Sequence, residues 1–180
     1  MIYNKYVCFV GLINSFTYGK GRKMSEISRK EARKILFGLL FESEFKRGDE
    51  PNAIYTAALE DRDIPEDGYI KDCYFGICEK SAELDNIISK YAKGWRADRL
   101  SKVSRTVIRL SVYEILYADV PANVSVSEAV ELSKKYGEEK ARAFVNGVLA
   151  SIVRDIEAKG KDGLIALGAC EAETDASDVQ

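Results

Sequence analysis

Histidine is absent from all 180 residues, and that absence removes more chemistry than any other feature of the chain. The commonest general base, the Ser-His and Cys-His nucleophile systems and most catalytic zinc sites need an imidazole. Cysteine is scarce and poorly spaced. Cys8, Cys73, Cys78 and Cys170 form no C-x-x-C pair, so they read as buried or free thiols in a reducing cytoplasm, not as a metal site or disulfide framework. No enzyme activity, cofactor or metal is expected. Three prolines and few alternating Val-Thr-aromatic runs favour helix over sheet. No segment approaches the roughly eighteen uninterrupted apolar residues of a membrane span, and no internal repeat emerges.

What is present describes a globular chain, 46% hydrophobic and 31% charged. Its net charge of −2 hides two unlike ends. Lys20, Arg22, Lys23, Arg29, Lys30, Arg33 and Lys34 stand against Glu26 and Glu31. Asp162, Glu171, Glu173, Asp175 and Asp178 stand against Lys161 alone. Residues 1–24 are read as an extension outside the fold, with Met24 as the natural start. Residues 25–158 are read as one all-α domain of about seven helices, and the Gly, Ala and acid of residues 159–180 as a disordered tail.

Ser28-x-x-Glu31 is a capping box opening the first helix, and Ala32, Ile35, Leu36, Leu39 and Leu40 follow the spacing of a core stripe. Arg33, Phe37 and Phe41 climb one flank at steps of four, beside Lys30 and Lys34. Pro51, as an N1 residue, opens a helix through about Leu59, and Pro65 opens the next, with Tyr69, Ile70, Cys73, Tyr74 and Ile77 on one face. Leu84, Ile87, Ile88 and Tyr91 belong to a shorter helix stopped by Gly94. From Val103 to Tyr117 apolar residues surround nearly the whole helix, which predicts a central position. A second capping box, Ser125-x-x-Glu128, predicts a helix running to Tyr136 with an αL stop at Gly137. Ala141, Phe144, Val145, Val148, Leu149, Ile152 and Val153 mark the last long helix.

Arg29, Lys30, Arg33 and Lys34 occupy the positive end of a helix macrodipole, where helix stability alone favours Asp or Glu. A solvated face is the ordinary reading of such a run. Free amides beside cations, however, also receive phosphate, and neither reading excludes the other on local grounds. Lys140 and Arg142 repeat the arrangement on the last helix, and two such starts could converge into one phosphate-binding track. Phe37 fits core packing; Phe41 fits either core or base stacking. Gly147 suggests a close helix contact, and Asn146 a structural hydrogen bond unless it is exposed. Arg109 is expected to pair with Glu114 or another carboxylate, and Arg105 to reach a protein partner.

Three stretches, SRKEARKILFGLLFESEF, TVIRLSVYEILYADVPANVSVSEAVELSKKYG and ARAFVNGVLASI, together resemble the NusB family of bacterial transcription antitermination factors. The resemblance runs from Ser25 to Glu157. It implies two three-helix subdomains and an RNA-binding protein that pairs with the ribosomal protein NusE on a boxA element in the transcription elongation complex. It carries RNA contact to Arg29, Lys30 and Arg33, with aromatic positions at Phe41 and Phe144. Ser127 stands where the family commonly has Asn, Gly38 where Gln is frequent, and Lys140 where an acid is frequent. With the resemblance, RNA binding becomes the favoured reading of the cations. A protein-only helical adaptor and an orphan NusB-like domain of an rRNA methyltransferase are the alternatives.

Overall fold

The computed structural model describes residues 27–46, 48–62, 64, 66–92 and 100–172. Every regular element among them is a helix: α1 (Arg29–Ser43), α2 (Pro51–Arg62), α3 (Gly68–Glu79), α4 (Ser81–Tyr91), α5 (Lys102–Tyr117), α6 (Ala122–Tyr136) and α7 (Ala141–Ala172). The chain divides into two units, Met1–Lys71 and Asp72–Gln180, with the boundary inside α3. The expected extension and Gly94 lie outside the described residues, as does Pro65.

In the first unit, the Ser28 hydroxyl accepts from the Glu31 amide at 3.2 Å, satisfying a donor that α1 leaves open. Ala32, Leu36, Leu39 and Leu40 of α1 are buried, as are Ile54, Tyr55 and Ala58 of α2, and the two helices pack together. Each such Leu or Ile contributes about 1.5–3 kcal/mol relative to exposure. Glu42 joins their ends by accepting from Arg62 at 2.5 Å, and Lys46 stands 2.8 Å from its other oxygen. Burial pushes the Glu42 carboxyl upward, but the hydrogen bonds from Lys46 and Arg62 outweigh it and hold the group below its ordinary range. α3 starts at Gly68, where the Asp67 carboxylate accepts from the Ile70 amide at 3.0 Å.

In the second unit, α5 touches α4, α6 and α7, while α7 touches α4, α5 and α6. The central position expected for α5 is present: from Ser104 to Leu116 it is buried on nearly all sides. Ser101 caps it, accepting from the Ser104 amide at 3.1 Å. Arg109 finds its carboxylate on α4, donating through Nε to Asp85 Oδ1 at 2.6 Å and through Nη2 to Oδ2. Glu114 is engaged elsewhere, accepting from the Ser125 hydroxyl at 2.6 Å.

That last bond corrects the second capping box. α6 begins at Ala122, so Ser125 lies inside the helix and is buried. A buried hydroxyl needs a partner, and Ser111 at 2.9 Å and Glu114 supply it. Gly137 does end α6, but in extended backbone (φ −91°, ψ 177°). Glycine is needed there for space: a Cβ would stand 2.5 Å from the Ser133 carbonyl oxygen and 2.8 Å from the Ala141 Cβ.

The tail is a further correction. Disorder was expected from residue 159, yet α7 continues to Ala172, broken once at Gly160 (φ 79°). Leu164 is fully buried, and the segment lies against α4 through Gly168. The docked stretch is the apolar Leu164-Ile165-Ala166-Leu167-Gly168, and most of the acids that suggested disorder lie beyond it, from Glu171 onward. Residues 173–180 lie outside the described residues.

Candidate nucleic-acid interface

The cations of α1 separate into different environments. Arg29 is exposed and lies over the Tyr69 ring, 4.1 Å from its centroid, a cation–π arrangement that orients the guanidinium without removing it from water. Lys30 is exposed. Lys34 is half-buried and stands 3.9 Å from Glu31. Arg33 is only 5% exposed and Phe41 only 8%, which corrects both as RNA-facing groups. The core stripe of α1 is wider than its spacing suggested and takes in the whole flank of Arg33, Phe37 and Phe41. Phe41 is committed to an aromatic ladder, with Phe37 and Phe45 at centroid distances of 5.8 and 5.0 Å.

Arg105 is also corrected. At 8% exposure it sits within the all-round burial of α5, so its guanidinium does not offer a surface to a protein partner.

In the second unit Lys140 and Arg142 are exposed at the start of α7. Glu138 and Glu139 precede them and are exposed too, so this start alternates in sign instead of being uniformly basic. Phe144 is half-buried and lines a cavity of about 540 Å³, together with Tyr91 and Lys90 of α4 and Gly147, Ser151, Arg154 and Asp155 of α7. A Cβ at Gly147 would meet nothing within 4 Å, so the expected close helix contact there is absent and the glycine instead leaves the wall open. Asn146 is exposed, which excludes the buried structural role.

The rim of this cavity is polar and ordered. The Tyr91 hydroxyl donates to Asp155 Oδ2 at 2.6 Å, and Lys159 donates to the same oxygen at 2.7 Å. Burial first, then the Asp155 hydrogen bond and charge, raise the Tyr91 hydroxyl above its usual value, so it remains a neutral donor. The Lys159 hydrogen bond, followed by that from Tyr91, holds Asp155 below the usual carboxylate range. Lys90 and Arg154 are the exposed cations of the lining. An aromatic ring and two cations around one concavity, beside an Asp155 carboxylate already held by Tyr91 and Lys159, suit a base and its phosphate.

Lys90, Tyr91 and Arg154 were not singled out from the sequence. Phe144, Gly147, Ser151 and Arg154 do recur at helical spacing beside the core stripe of α7, a signal available in one dimension. Lys90 and Tyr91 join them only through the packing of α4 on α7.

The described residues thus form an all-helical frame with exposed cations near the starts of α1 and α7 and an aromatic-lined cavity between α4 and α7. Residues 26–154 match the NusB family, and the chain belongs to that family. It is 45% identical over 129 residues to the transcription antitermination protein NusB of Ruminiclostridium cellulolyticum, covering 70% of this chain and 88% of that protein. The Bacillus subtilis protein of the same name is 39% identical over 132 residues, covering 73% and 98% respectively. Among solved structures, Thermotoga maritima NusB matches with a TM-score of 0.64 at 34% identity, over 72% of this chain and 92% of that one. A crystal structure of antitermination factors NusB and NusE in complex with double-stranded RNA matches with a TM-score of 0.63 at 32% identity, over 71% and 96%. No helix among the described residues is long and apolar enough to cross a membrane.

Proposed function

We propose that this chain is a non-catalytic, cytoplasmic transcription antitermination factor that binds boxA-type RNA together with the ribosomal protein NusE in the elongation complex. The observation that carries the reading is the Phe144 cavity. Its lining includes the aromatic ring of the F-V-N-G signature and two cations, Lys90 and Arg154, on a chain whose structural relatives include a NusB–NusE–RNA complex.

In this reading Arg29, Lys30, Lys140 and Arg142 hold phosphates, with Lys34 a weaker contributor because Glu31 shares its charge. Phe144 stacks on a base, and Lys90 and Arg154 take the adjoining backbone. A rigid protein partner that extends the RNA surface raises effective affinity without new contacts on this chain. The test is RNA binding with and without NusE, using matched and scrambled boxA sequences in single- and double-stranded form. Discrimination between matched and scrambled RNA in the presence of NusE supports the proposal; equal binding of all RNAs under both conditions refutes it.

The withdrawal of Arg33 and Phe41 into the core thins the α1 strip to Arg29 and Lys30, which favours the protein-only adaptor as a second reading. Replacing Arg29 and Lys30 by Ala separates the two. RNA binding no stronger for matched than for scrambled sequences, and unmoved by the two substitutions while NusE binding is retained, supports the adaptor.

A further inference from the structure

The helical segment after Gly160 lies beyond the family match, which ends at residue 154. It rests on one face of α4. Glu83, Asn86, Ile87 and Lys90 recur at i, i+3, i+4 and i+7, and each of them meets this segment. A Cβ at Gly168 would stand 2.9 Å from Glu83 Cγ, the Glu83 carbonyl oxygen and Ile87 Cγ1, so the approach is one that only glycine allows. Asn86 donates to the Gly168 carbonyl at 3.1 Å and Lys90 to the Leu167 carbonyl at 3.5 Å. Leu164 is fully buried. At the near end Lys161 pairs with Asp119 at 2.8 Å, and Gly160 supplies the positive φ that redirects the chain.

Lys90 is also part of the cavity lining, next to Tyr91, which the first part of α7 holds through Asp155. The C-terminal end of α4 is therefore fixed from two directions, by residues before and after the Gly160 break. A lysine on a four-carbon stem loses much rotamer freedom when it binds a phosphate. The Leu167 carbonyl, 3.5 Å from the Lys90 ammonium, restricts the range of that side chain and so lowers that loss.

We propose that residues 161–172 are a positioning element of the RNA site, acting by docking on α4 and holding the Lys90 ammonium at the mouth of the Phe144 cavity. This rests on the RNA-binding reading above. It adds that a segment outside the family-matched region sets how well one cation of that site engages phosphate.

The test uses the full chain with Gly168→Val, which drives a branched side chain into Glu83 and Ile87, and independently Leu164→Ser, which removes the buried anchor. Ala166→Val, at an exposed position of the same segment, is the control. Affinity for a single-stranded boxA-type oligonucleotide is measured across salt, with amide exchange reporting whether residues 161–172 are docked. In both test variants the segment is expected to exchange freely and the slope of log affinity against log salt to flatten by about 0.7, one phosphate contact on a single strand. Lys90→Met is expected to give the same flattening, with Gly168→Val adding nothing further in that background. Ala166→Val is expected to match the unaltered chain. Unchanged slopes with the segment released, additive effects of Gly168→Val and Lys90→Met, or a segment that stays protected in both variants would each overturn the proposal. If the unaltered chain itself fails to bind RNA, the RNA reading falls; if it binds and only the segment variants are silent, the positioning role alone falls.

Discussion

Replacing Phe144 by Leu separates stacking from packing at the cavity. The ring is half-buried and its remaining surface lines the cavity, so Leu keeps most of the buried bulk while removing the aromatic face. Leu is smaller than Phe, so at this half-buried position the exchange costs about 1–2 kcal/mol of stability. Stacking of a base on an aromatic ring is worth about 1–3 kcal/mol, which converts to roughly a 5- to 150-fold loss of affinity. Because stacking releases no counterions, the loss is expected to be the same at every salt concentration, leaving the salt slope unchanged. Phe144→Tyr retains the ring and is expected to bind nearly as the unaltered chain does. Fluorescence anisotropy with a labelled boxA-type RNA, alongside urea denaturation of each variant, reads both quantities. Binding by Phe144→Leu within about twofold of the unaltered chain, with folding intact, would refute the stacking role.

Other outcomes follow from the packing and the charges. Glu42 is held below its ordinary value of 4.5, so the folded chain binds this proton less readily than the unfolded one. Its stabilising contribution is present above that value and is lost as pH falls through the lowered folded pKa. Glu42→Gln is therefore expected to cost about 1–2 kcal/mol at pH 7 and to converge on the unaltered chain in acid, by urea denaturation at both pH values; an equal cost at both would contradict the linkage. Gly76→Ala places a Cβ 1.9 Å from the Tyr113 hydroxyl oxygen and 2.5 Å from Cζ. It is expected to destabilise by about 1–3 kcal/mol, with partial recovery when Tyr113 is also reduced to Leu; a variant as stable as the unaltered chain would show that α3 and α5 do not approach this closely.

The helices were legible where they carry a stripe with clear punctuation. Ser28, Pro51 and the apolar girdle of α5 all lie where local chemistry predicts them. Errors arose where one residue type serves two purposes. Ser125 has the spacing of a cap but the burial of a core hydroxyl, because Glu114 and Ser111 reach it from a helix whose approach local spacing does not encode. Gly137 stops a helix by giving way to Ser133 and Ala141, not by adopting αL. Long cationic side chains usually stay at the surface, so nothing local to Arg33 or Arg105 signals burial; the width of the α1 stripe and the depth of α5 place them inside. The C-terminal segment was missed because its anchors, Leu164 and Gly168, are too few to make a period. For the candidate cavity, Phe144 belongs to a motif on one helix, whereas Lys90 and Tyr91 join it only through the packing of α4 on α7.

The most direct test of the central claim is the salt dependence of RNA affinity in the unaltered chain and in a variant carrying Arg29→Ala, Lys30→Ala, Lys140→Ala and Arg142→Ala. With four to six phosphates neutralised, the unaltered chain is expected to show a slope of about −3 to −4 on single-stranded RNA, and the variant to flatten by about 3. A slope near zero in the unaltered chain, or one that the four substitutions leave in place, would contradict the assignment of these helix beginnings to phosphate binding.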